Sequence, residues 1–442
     1  MPAGYEWGWD NGRALIGILL IYGVCWAISS NRKALPWRII LGATVLQFVF
    51  ALLFFGLPKI LGVGGAGVEG GDNPVIKALV DATRYGTNFV FGYVGDNTLV
   101  SQPFTPFTTA EGLVPPSFFF QILPLIIVVA ALSAMLWHWG ILKWITTAFA
   151  AIFRRTMGIS GPTSLAVSAN VFMGMTEAPL LVRPYLKTMT RTELLVMMTA
   201  GFATIAGSVM VVYATMLDGK LANPITQLFV ASMMAAPAAV AVAMTLIPES
   251  EATSHNNQQP DFKYASTMDA FSTGATDGLK IVFNIATMLI AALALLYLIN
   301  EGFKALPDVA GSALSIERIL GWIFAPLMYM VGVPMEEASK SGGLMGVKTV
   351  LTEFVAFIQL AGVPVEEMDP RTRMITAHAV CGFANFGSIG ILIGGLSIME
   401  PERRDDFLKL AWHTLLAGTL ATCLSAAVVG ALPYQLFAGA NG

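Results

Sequence analysis

The sequence predicts an all-α integral membrane protein, with eight transmembrane helices plus two opposed re-entrant hairpins arranged as an inverted repeat. Three observations predict it. Only 12% of the 442 residues are charged and 55% are hydrophobic, with a mean hydropathy of +0.69, whereas a soluble domain carries about 25% charged residues. Apolar runs close to the roughly 20 residues that cross a bilayer recur along the chain. Two further apolar stretches are interrupted near their middles, and each holds one carboxylate far from other charges.

The elements follow in order. The predicted spans are Ala14–Ser29, Ile39–Leu57, Phe118–Leu142, Leu194–Leu217, Ile225–Ile247, Ile281–Leu298, Met374–Met399 and Leu410–Leu432. The first run has no small-residue cleavage site behind it and is followed by "SSNRKALPWR" and a second run, so it reads as an anchor and not a removable signal. Lys and Arg concentrate in cytoplasmic loops. Arg32, Lys33 and Arg38, then Lys143, Arg154 and Arg155, then Arg403, Arg404 and Lys409 all fall on one side if both termini lie outside. Short termini point to a bacterial inner membrane, which would make both ends periplasmic. "DATRYGTNFVFGYVGDN" is too polar to cross and reads as an interfacial amphipathic piece or a packed loop. The long polar connector beginning "PESEATSHNN" separates spans five and six and has room for an amphipathic helix. These readings divide the chain into an N-terminal scaffold (1–115), a first repeat (116–247), the connector (248–280) and a second repeat (281–442).

The interrupted stretches are Thr156–Val182, broken at "SANVFMGMTEAP", and Ile319–Leu360, broken at "GVPMEEASKSGG". Non-helical backbone at mid-depth survives only where it is buried in protein or lines a wet cavity, so each is read as a hairpin that enters and leaves on one side. Three spans lie between them, so they enter from opposite faces. The halves also share an order of residues. Thr176-Glu177 is followed by Arg191-Thr192 and then "GFA"; Thr352-Glu353 is followed by Arg371-Thr372 and then "GFA" again. Inverted repeats with discontinuous helices are the signature of secondary transporters, whose solute site lies at the bilayer midplane. "ATIAGSV" and "NFGSIG" place small and polar residues at mid-span in spans four and seven, where unwinding would free backbone groups.

Glu177 is the only charged residue between Arg155 and Arg183, and Glu353 is the only one from Thr349 to Val365. A carboxylate at the bilayer centre costs about 2.5–3.5 kcal/mol on insertion scales, which makes a functional role the first reading and a structural ion pair the second. No basic residue is expected to pair locally with either acid. Two lone acids suit a polyol, a polar ring or a bound cation. No metal-ligand spacing, G-x-S-x-G elbow or P-loop is found, so the chain reads as neither an enzyme nor a nucleotide-driven pump. The net charge of −3 argues against a nucleic-acid partner. Cys25, Cys381 and Cys423 are scattered in apolar segments and indicate no disulfide framework. His378 could relay protons, with packing the stronger reading. Glu336, Glu337 and Lys340 are expected at a hairpin bend, as gate residues or as a mutually paired cluster. Trp137 and Trp139 read as belt residues. Asn170, Asn385 and Ser388 stand in non-helical stretches near an acid.

"GMTEAPLLVRPYL", "GVKTVLTEFVAF" and "CGFANFGSIGI" resemble the signatures of the concentrative nucleoside transporter family, G-Q-T-E-A-P-L, G-x-K-x-x-x-N-E-F-V-A-Y and G-F-A-N-F-x-S-I-G. The likeness covers essentially the whole chain, including "NRKALPWR" and "TNFVFG". It implies a homotrimer in the lipid bilayer, each protomer holding one nucleoside between two hairpin tips and two broken helices and moving it by alternating access. It implies that Thr176, Glu177, Val209 and Phe383 contact the nucleobase, and that Glu353, Asn385 and Ser388 hold the ribose hydroxyls. It implies a sodium site at Asn170, Met173, Thr204 and Ile205. Sodium is the expected coupling ion and a proton bound by Glu177 or Glu353 the alternative; a passive channel is the less favoured reading. Two positions depart from the signatures. Met175 stands where the family has Gln, which removes an amide donor and acceptor from the base pocket and points towards purines. Thr352 stands where it has Asn, and is expected to act through its neighbour.

Overall fold

The computed structural model describes residues 7–56, 124–250, 263–304, 306–309 and 313–437. The interfacial piece predicted at 81–97, the start of span three and residues 251–262 of the polar connector lie outside them. The described residues are helical throughout, with no β-sheet among them. The helices are α1 Trp9–Ala27, α2 Trp37–Ala51, α3 Pro124–His138, α4 Ile141–Met157, α5 Gly161–Asn170, α6 Ala178–Leu181, α7 Arg191–Ala203, α8 Gly207–Met216, α9 Pro224–Leu246, α10 Thr267–Lys304, α11 Ile316–Met330, α12 Met335–Val350, α13 Glu353–Gly362, α14 Pro370–Val380, α15 Phe386–Met399 and α16 Arg404–Ala431.

Local sequence sets the helix starts. Thr190 and Glu193 form a reciprocal cap on α7, the arrangement expected of a T-x-x-E start. Asp369 accepts from the Arg371 and Thr372 amides ahead of α14, whose first residue is Pro370. Asn385 opens α15 by accepting from Ser388 N at 2.8 Å. Thr352 opens α13 by accepting from Phe354 N at 2.9 Å. Side-chain oxygens at these positions satisfy amides that a helix start leaves unpaired.

Among the described residues four helical stretches are long and apolar enough to cross a membrane: Trp37–Gly56, Arg191–Met216, Pro224–Leu246 and Pro401–Ala431. Two bent pairs also pass when taken together, α3 with α4 (76°) and α11 with α12 (119°). Spans four and seven are interrupted, at Thr204–Ala206 between α7 and α8 and at Cys381–Asn385 between α14 and α15.

Three elements differ from expectation. The chain turns at Gly140 (φ +81°) into α4, a helix that the sequence reading left unassigned; Trp144 and Ile141 on it are exposed. α10 is longer than the predicted Ile281–Leu298, running from Thr267 to Lys304. Its polar first half continues as helix because small residues allow close packing on α3: a Cβ at Gly274 would meet Ala134 Cβ at 2.7 Å, and one at Gly278 would meet Ile127 Cα at 2.7 Å.

The second hairpin is the third correction. The Gly332-Val333-Pro334 break exists, but it joins α11 to α12; the turn that presents Glu353 is Leu351–Thr352, between α12 and α13. The glycines of α12 serve packing and not unwinding. A Cβ at Gly346 would sit 2.2 Å from Leu320 Cβ, and one at Gly342 would sit 2.7 Å from Gly321 O. Small residues let membrane helices approach this closely. Glu336, Glu337 and Lys340 therefore lie at the far end of α12 from the tip. Lys340 pairs with Glu367 at 3.0 Å and Glu337 accepts from Asp369 N at 2.8 Å, which replaces both the gate and the mutual-pairing readings.

The two hairpin exits are held alike. Arg373, fully buried, donates to the carbonyls of Leu360 in the last turn of α13 and of Val363 and Pro364 just beyond it. Arg403 Nη1 lies within hydrogen-bonding distance of the carbonyls of Leu186, Lys187 and Met189, which follow α6. α1 is tied to the opposite end of the chain, where Asn11 Nδ2 reaches the carbonyls of Gly430 and Leu432, and it packs on the end of α11, where a Cβ at Gly17 would strike Met330 O at 2.2 Å.

Candidate functional site

Four interruptions meet around one cavity of about 190 Å³. They are the loop between α5 and α6, the break between α7 and α8, the α12–α13 tip, and the break between α14 and α15. Met175, Thr176, Glu177, Val209, Thr352, Glu353, Phe383, Asn385 and Ser388 all line it, so the nine residues expected at a solute site share a single wall.

Glu353 is the most firmly held. It is the first residue of α13, where the positive end of the helix dipole favours a carboxylate, and it is 6% exposed. Tyr213 donates its hydroxyl to Glu353 Oε1 at 2.9 Å and Asn385 donates Nδ2 to Oε2 at 2.9 Å. A carboxylate offers about four lone-pair sites, so each oxygen retains capacity for a further donor. Asn385 is itself fixed by its Oδ1 cap on α15, and Tyr213 stacks on Phe357 with centroids 4.3 Å apart. The carboxylate is thereby pre-aimed by two rigid supports.

Glu177 is held more lightly. One oxygen accepts from Gly174 N at 3.1 Å, within the unwound loop. Glu177 and Ala206 also line a second, smaller cavity of about 90 Å³ with Ser133, Trp137, Tyr264 and Asp277. The carboxylate can thus be approached from two sides. Phe383 and Val209 supply apolar surface to the main cavity, and Met175 is nearly buried against Gly201, where a Cβ would meet Met175 Cβ at 2.9 Å. Thr352 spends its hydroxyl on the α13 cap, in keeping with an action through its neighbour.

Of the four expected cation ligands, Asn170 and Thr204 meet. Thr204 Oγ1 lies 2.8 Å from Asn170 O and 2.9 Å from Ala200 O. Asn170 Oδ1 is buried with no hydrogen-bond partner, while its Nδ2 donates to Ala166 O. Buried polar atoms are normally satisfied, so this oxygen is an acceptor left over for a cation or a water. Ile205 follows Thr204 in the same break, its amide held by Ser232 Oγ at 3.1 Å. Met173 lines the smaller cavity.

Sequence reasoning missed Tyr213. Its signal was its position four residues after Val209 on the broken span, where i and i+4 share a face. It also missed Asn284 and Ile285 of α10, which close the cavity from a helix carrying no motif. Among the described residues no ion pair joins Glu353 to a basic residue, although Lys348 lies five residues before it in the same stretch, fully buried, with its Nζ donating to Thr422 Oγ1 at 3.3 Å. His378 is buried with Nδ1 on Met374 O at 3.0 Å. Trp137 is buried in the wall of the smaller cavity, whereas Trp139 is exposed as a belt residue would be.

Three family profiles match the chain: "Na+ dependent nucleoside transporter N-terminus" at residues 16–94, "Nucleoside recognition" at 119–220 and "Na+ dependent nucleoside transporter C-terminus" at 227–430. An uncharacterized transporter of Haemophilus influenzae is 34% identical over 94% of this chain and 96% of its own length. Nucleoside permease NupC of Helicobacter pylori is 31% identical over 97% and 98%. Human sodium/nucleoside cotransporter 1 is 33% identical over 94% of this chain, which spans 63% of that longer protein. Among solved structures, CNTnw in an inward-facing substrate-bound state superposes with a TM-score of 0.81 at 33% identity, covering 95% of this chain and 98% of that one. An outward-facing, doubly substituted CNTnw gives 0.84 at 31% identity, covering 96% and 97%. On matches of this length, the chain belongs to the concentrative nucleoside transporter family.

Proposed function

We propose that the protein imports nucleosides into a bacterial cell by sodium-coupled alternating access, holding one nucleoside in the cavity where the four helix breaks meet. The observation that carries this reading is the shared wall: Glu177 and Glu353, each isolated in its own apolar stretch, face one cavity of about 190 Å³. The remaining acceptor capacity of Glu353 suits vicinal ribose hydroxyls, which form charge-assisted hydrogen bonds to a carboxylate. Asn385 and Ser388 flank it, Phe383 and Val209 offer an apolar face to the base, and Thr176 and Glu177 meet the polar edge of the base. Met175 puts sulfur where an amide would select a pyrimidine, which favours purines.

Sodium is read as the coupling ion because Asn170, at the end of α5, keeps an unpartnered Oδ1 while its carbonyl accepts from Thr204 Oγ1 at the α7–α8 break. Hard cations take oxygen ligands of this kind. Coupling follows if the ion raises substrate affinity, since such linkage is reciprocal. The two repeats enter the bilayer from opposite faces, with both termini periplasmic and the basic loops cytoplasmic. Protomers assemble as a homotrimer; exposed apolar side chains such as Leu19, Leu41 and Val45 on α1 and α2 suit lipid or a neighbouring protomer.

Uptake into liposomes with a sodium gradient at symmetric pH tests the reading. Accumulation of nucleoside above the outside concentration, driven by sodium, is the expected result. Accumulation driven only by a pH gradient would transfer the coupling to a proton on Glu177 or Glu353, and equilibration without accumulation would make the protein a channel.

A further inference from the structure

We propose that the junction of α2 and α4 binds the headgroup phosphate of an anionic phospholipid through Arg38, Arg154 and Arg155, and that the bound lipid braces the stem of the first hairpin. The inference goes beyond the transport reading and borrows from it only the placing of the basic loops at one membrane face.

α4 has the build of a helix that lies in the interface. It leaves α3, part of a predicted span, at a bend of 76°, so it runs closer to the plane of the bilayer than across it. Its residues sort into three faces by helical spacing. Leu142, Thr146, Ala150, Phe153 and Met157 are buried against the protein. Ile141, Trp144 and Ile152, on the opposite side, are exposed apolar side chains. Lys143, Thr147 and Arg154 form a polar flank between the two. An exposed apolar face beside a basic one is the pattern of helices that settle at the headgroup boundary.

At its C-terminal end α4 meets the start of α2. Gly42 lets the backbones approach, since a Cβ there would lie 3.0 Å from Thr156 O. Arg38, exposed in the first turn of α2, donates Nη2 to Arg155 O at 3.3 Å. Its guanidinium lies over Gly158, where a Cβ would be 3.5 Å from Arg38 Cζ. Arg154 and Arg155 are exposed in the same turn, so three arginines converge at one junction. No carboxylate pairs with them among the described residues, and residues 11–56 and 124–176 hold no Asp or Glu at all. Basic residues elsewhere on this side do pair: Lys187 with Glu402, and Arg191 and Arg403 with Asp406.

The helix dipole accounts for a cation in the last turn of α4, but Arg38 arrives from another helix, and clustered guanidinium groups repel one another unless an anion sits among them. Arg38 spends one of its five N–H donors on α4. The planar fork of arginine matches phosphate, and basic pockets between helices at a membrane surface suit anionic headgroups. The neighbouring Trp144 and Ile152 favour a lipid over a soluble anion, because acyl chains would cover apolar surface that water otherwise meets. Ser160 follows the junction directly and caps α5, accepting from Thr163 N at 3.4 Å, and α5 ends at Asn170. A headgroup that pins the end of α4 therefore fixes the root of the hairpin that presents Asn170 and Glu177.

The test uses the full-length, delipidated protein in detergent, titrated with dioleoylphosphatidylglycerol or dioleoylphosphatidylcholine and read by native mass spectrometry. Wild type is expected to bind the glycerol lipid at least about tenfold more tightly than the choline lipid. A basic residue near an anionic lipid surface contributes about fivefold in affinity, so R38Q is expected to cost about fivefold and R154Q/R155Q roughly thirtyfold, with thermal unfolding as the check on structure. K33Q/K409Q, which removes two exposed charges away from the junction, is expected to bind within about twofold of wild type. Equal affinity for the two lipids, an equal loss in K33Q/K409Q, or displacement of the glycerol lipid by millimolar inorganic phosphate overturns the proposal; the last result would make the junction a site for free anions. The brace is read by hydrogen–deuterium exchange in nanodiscs. Slower exchange across residues 155–163 in the glycerol lipid than in the choline lipid, abolished in R154Q/R155Q, is expected; identical exchange in the two lipids defeats it. Neither readout needs transport, so the nucleoside reading and this one stand or fall separately.

Discussion

Removing the hydroxyl of Tyr213 isolates the contribution of one support to the Glu353 carboxylate. In Tyr213→Phe the ring remains, so the stack on Phe357 and the edge contact with Phe354 persist; only the 2.9 Å donation to Oε1 is lost. Hydrogen bonds to charged groups contribute about 1.5–3 kcal/mol. The low end applies here, because Oε1 adjoins a cavity from which water can replace the donor and Asn385 still holds Oε2. About 1.5 kcal/mol corresponds to roughly a tenfold loss of nucleoside affinity. Titration calorimetry of detergent-solubilised protein reads the dissociation constant, with thermal unfolding as the control for intact structure. An affinity within about twofold of wild type, in a protein that melts normally, would refute the view that Glu353 must be pre-aimed to hold its ligand.

Other perturbations separate the remaining roles. Glu353→Gln keeps the shape but removes the charge-assisted acceptor, and binding is expected to fall by a hundredfold or so while the trimer survives; size-exclusion chromatography with a binding assay checks both. Asn170→Ala deletes the unpartnered oxygen, so sodium stimulation of liposome uptake is expected to vanish, and persistence of full stimulation would remove Asn170 from the cation site. Gly382→Val would drive a side chain against the backbone oxygens of Phe202 and Ala203, only 2.8 and 2.9 Å from a Cβ. Overpacking typically costs about 1–3 kcal/mol, which thermal unfolding would show as a lowered midpoint. In competition against radiolabelled uridine, purine nucleosides are expected to outcompete pyrimidines, and Met175→Gln to reverse the order; an unchanged pyrimidine preference counts against the role given to Met175.

The site was legible where chemistry conflicts with its surroundings. A single carboxylate in an apolar stretch is costly, so Glu177 and Glu353 announced themselves, and the small polar residues of "ATIAGSV" and "NFGSIG" marked breaks that the structure contains. The second hairpin was misread because glycine has two uses. Gly342, Gly343 and Gly346 look like helix breakers in a one-dimensional string, yet they lie in a continuous helix pressed against α11. The true tip at Leu351–Thr352 carries neither glycine nor proline. Tyr213 and Lys348 escaped notice for a related reason: their partners are 140 residues and 74 residues away, and no local pattern encodes that distance. α10 was shortened because residues 248–280 were read as a polar connector, whereas two of its charges, Asp277 and Lys280, pair with each other at 2.8 Å within the helix.

The arginine clamps carry a mechanical consequence. Arg403 grips the chain leaving the first hairpin from the root of α16, and Arg373 grips the chain leaving the second from within α14. Neither hairpin can hinge freely at its exit without surrendering several charged hydrogen bonds at once. Each is yoked to a helix beyond it, so any excursion of a tip drags that helix along, and the natural unit of displacement is a hairpin with its yoke instead of a flap opening alone.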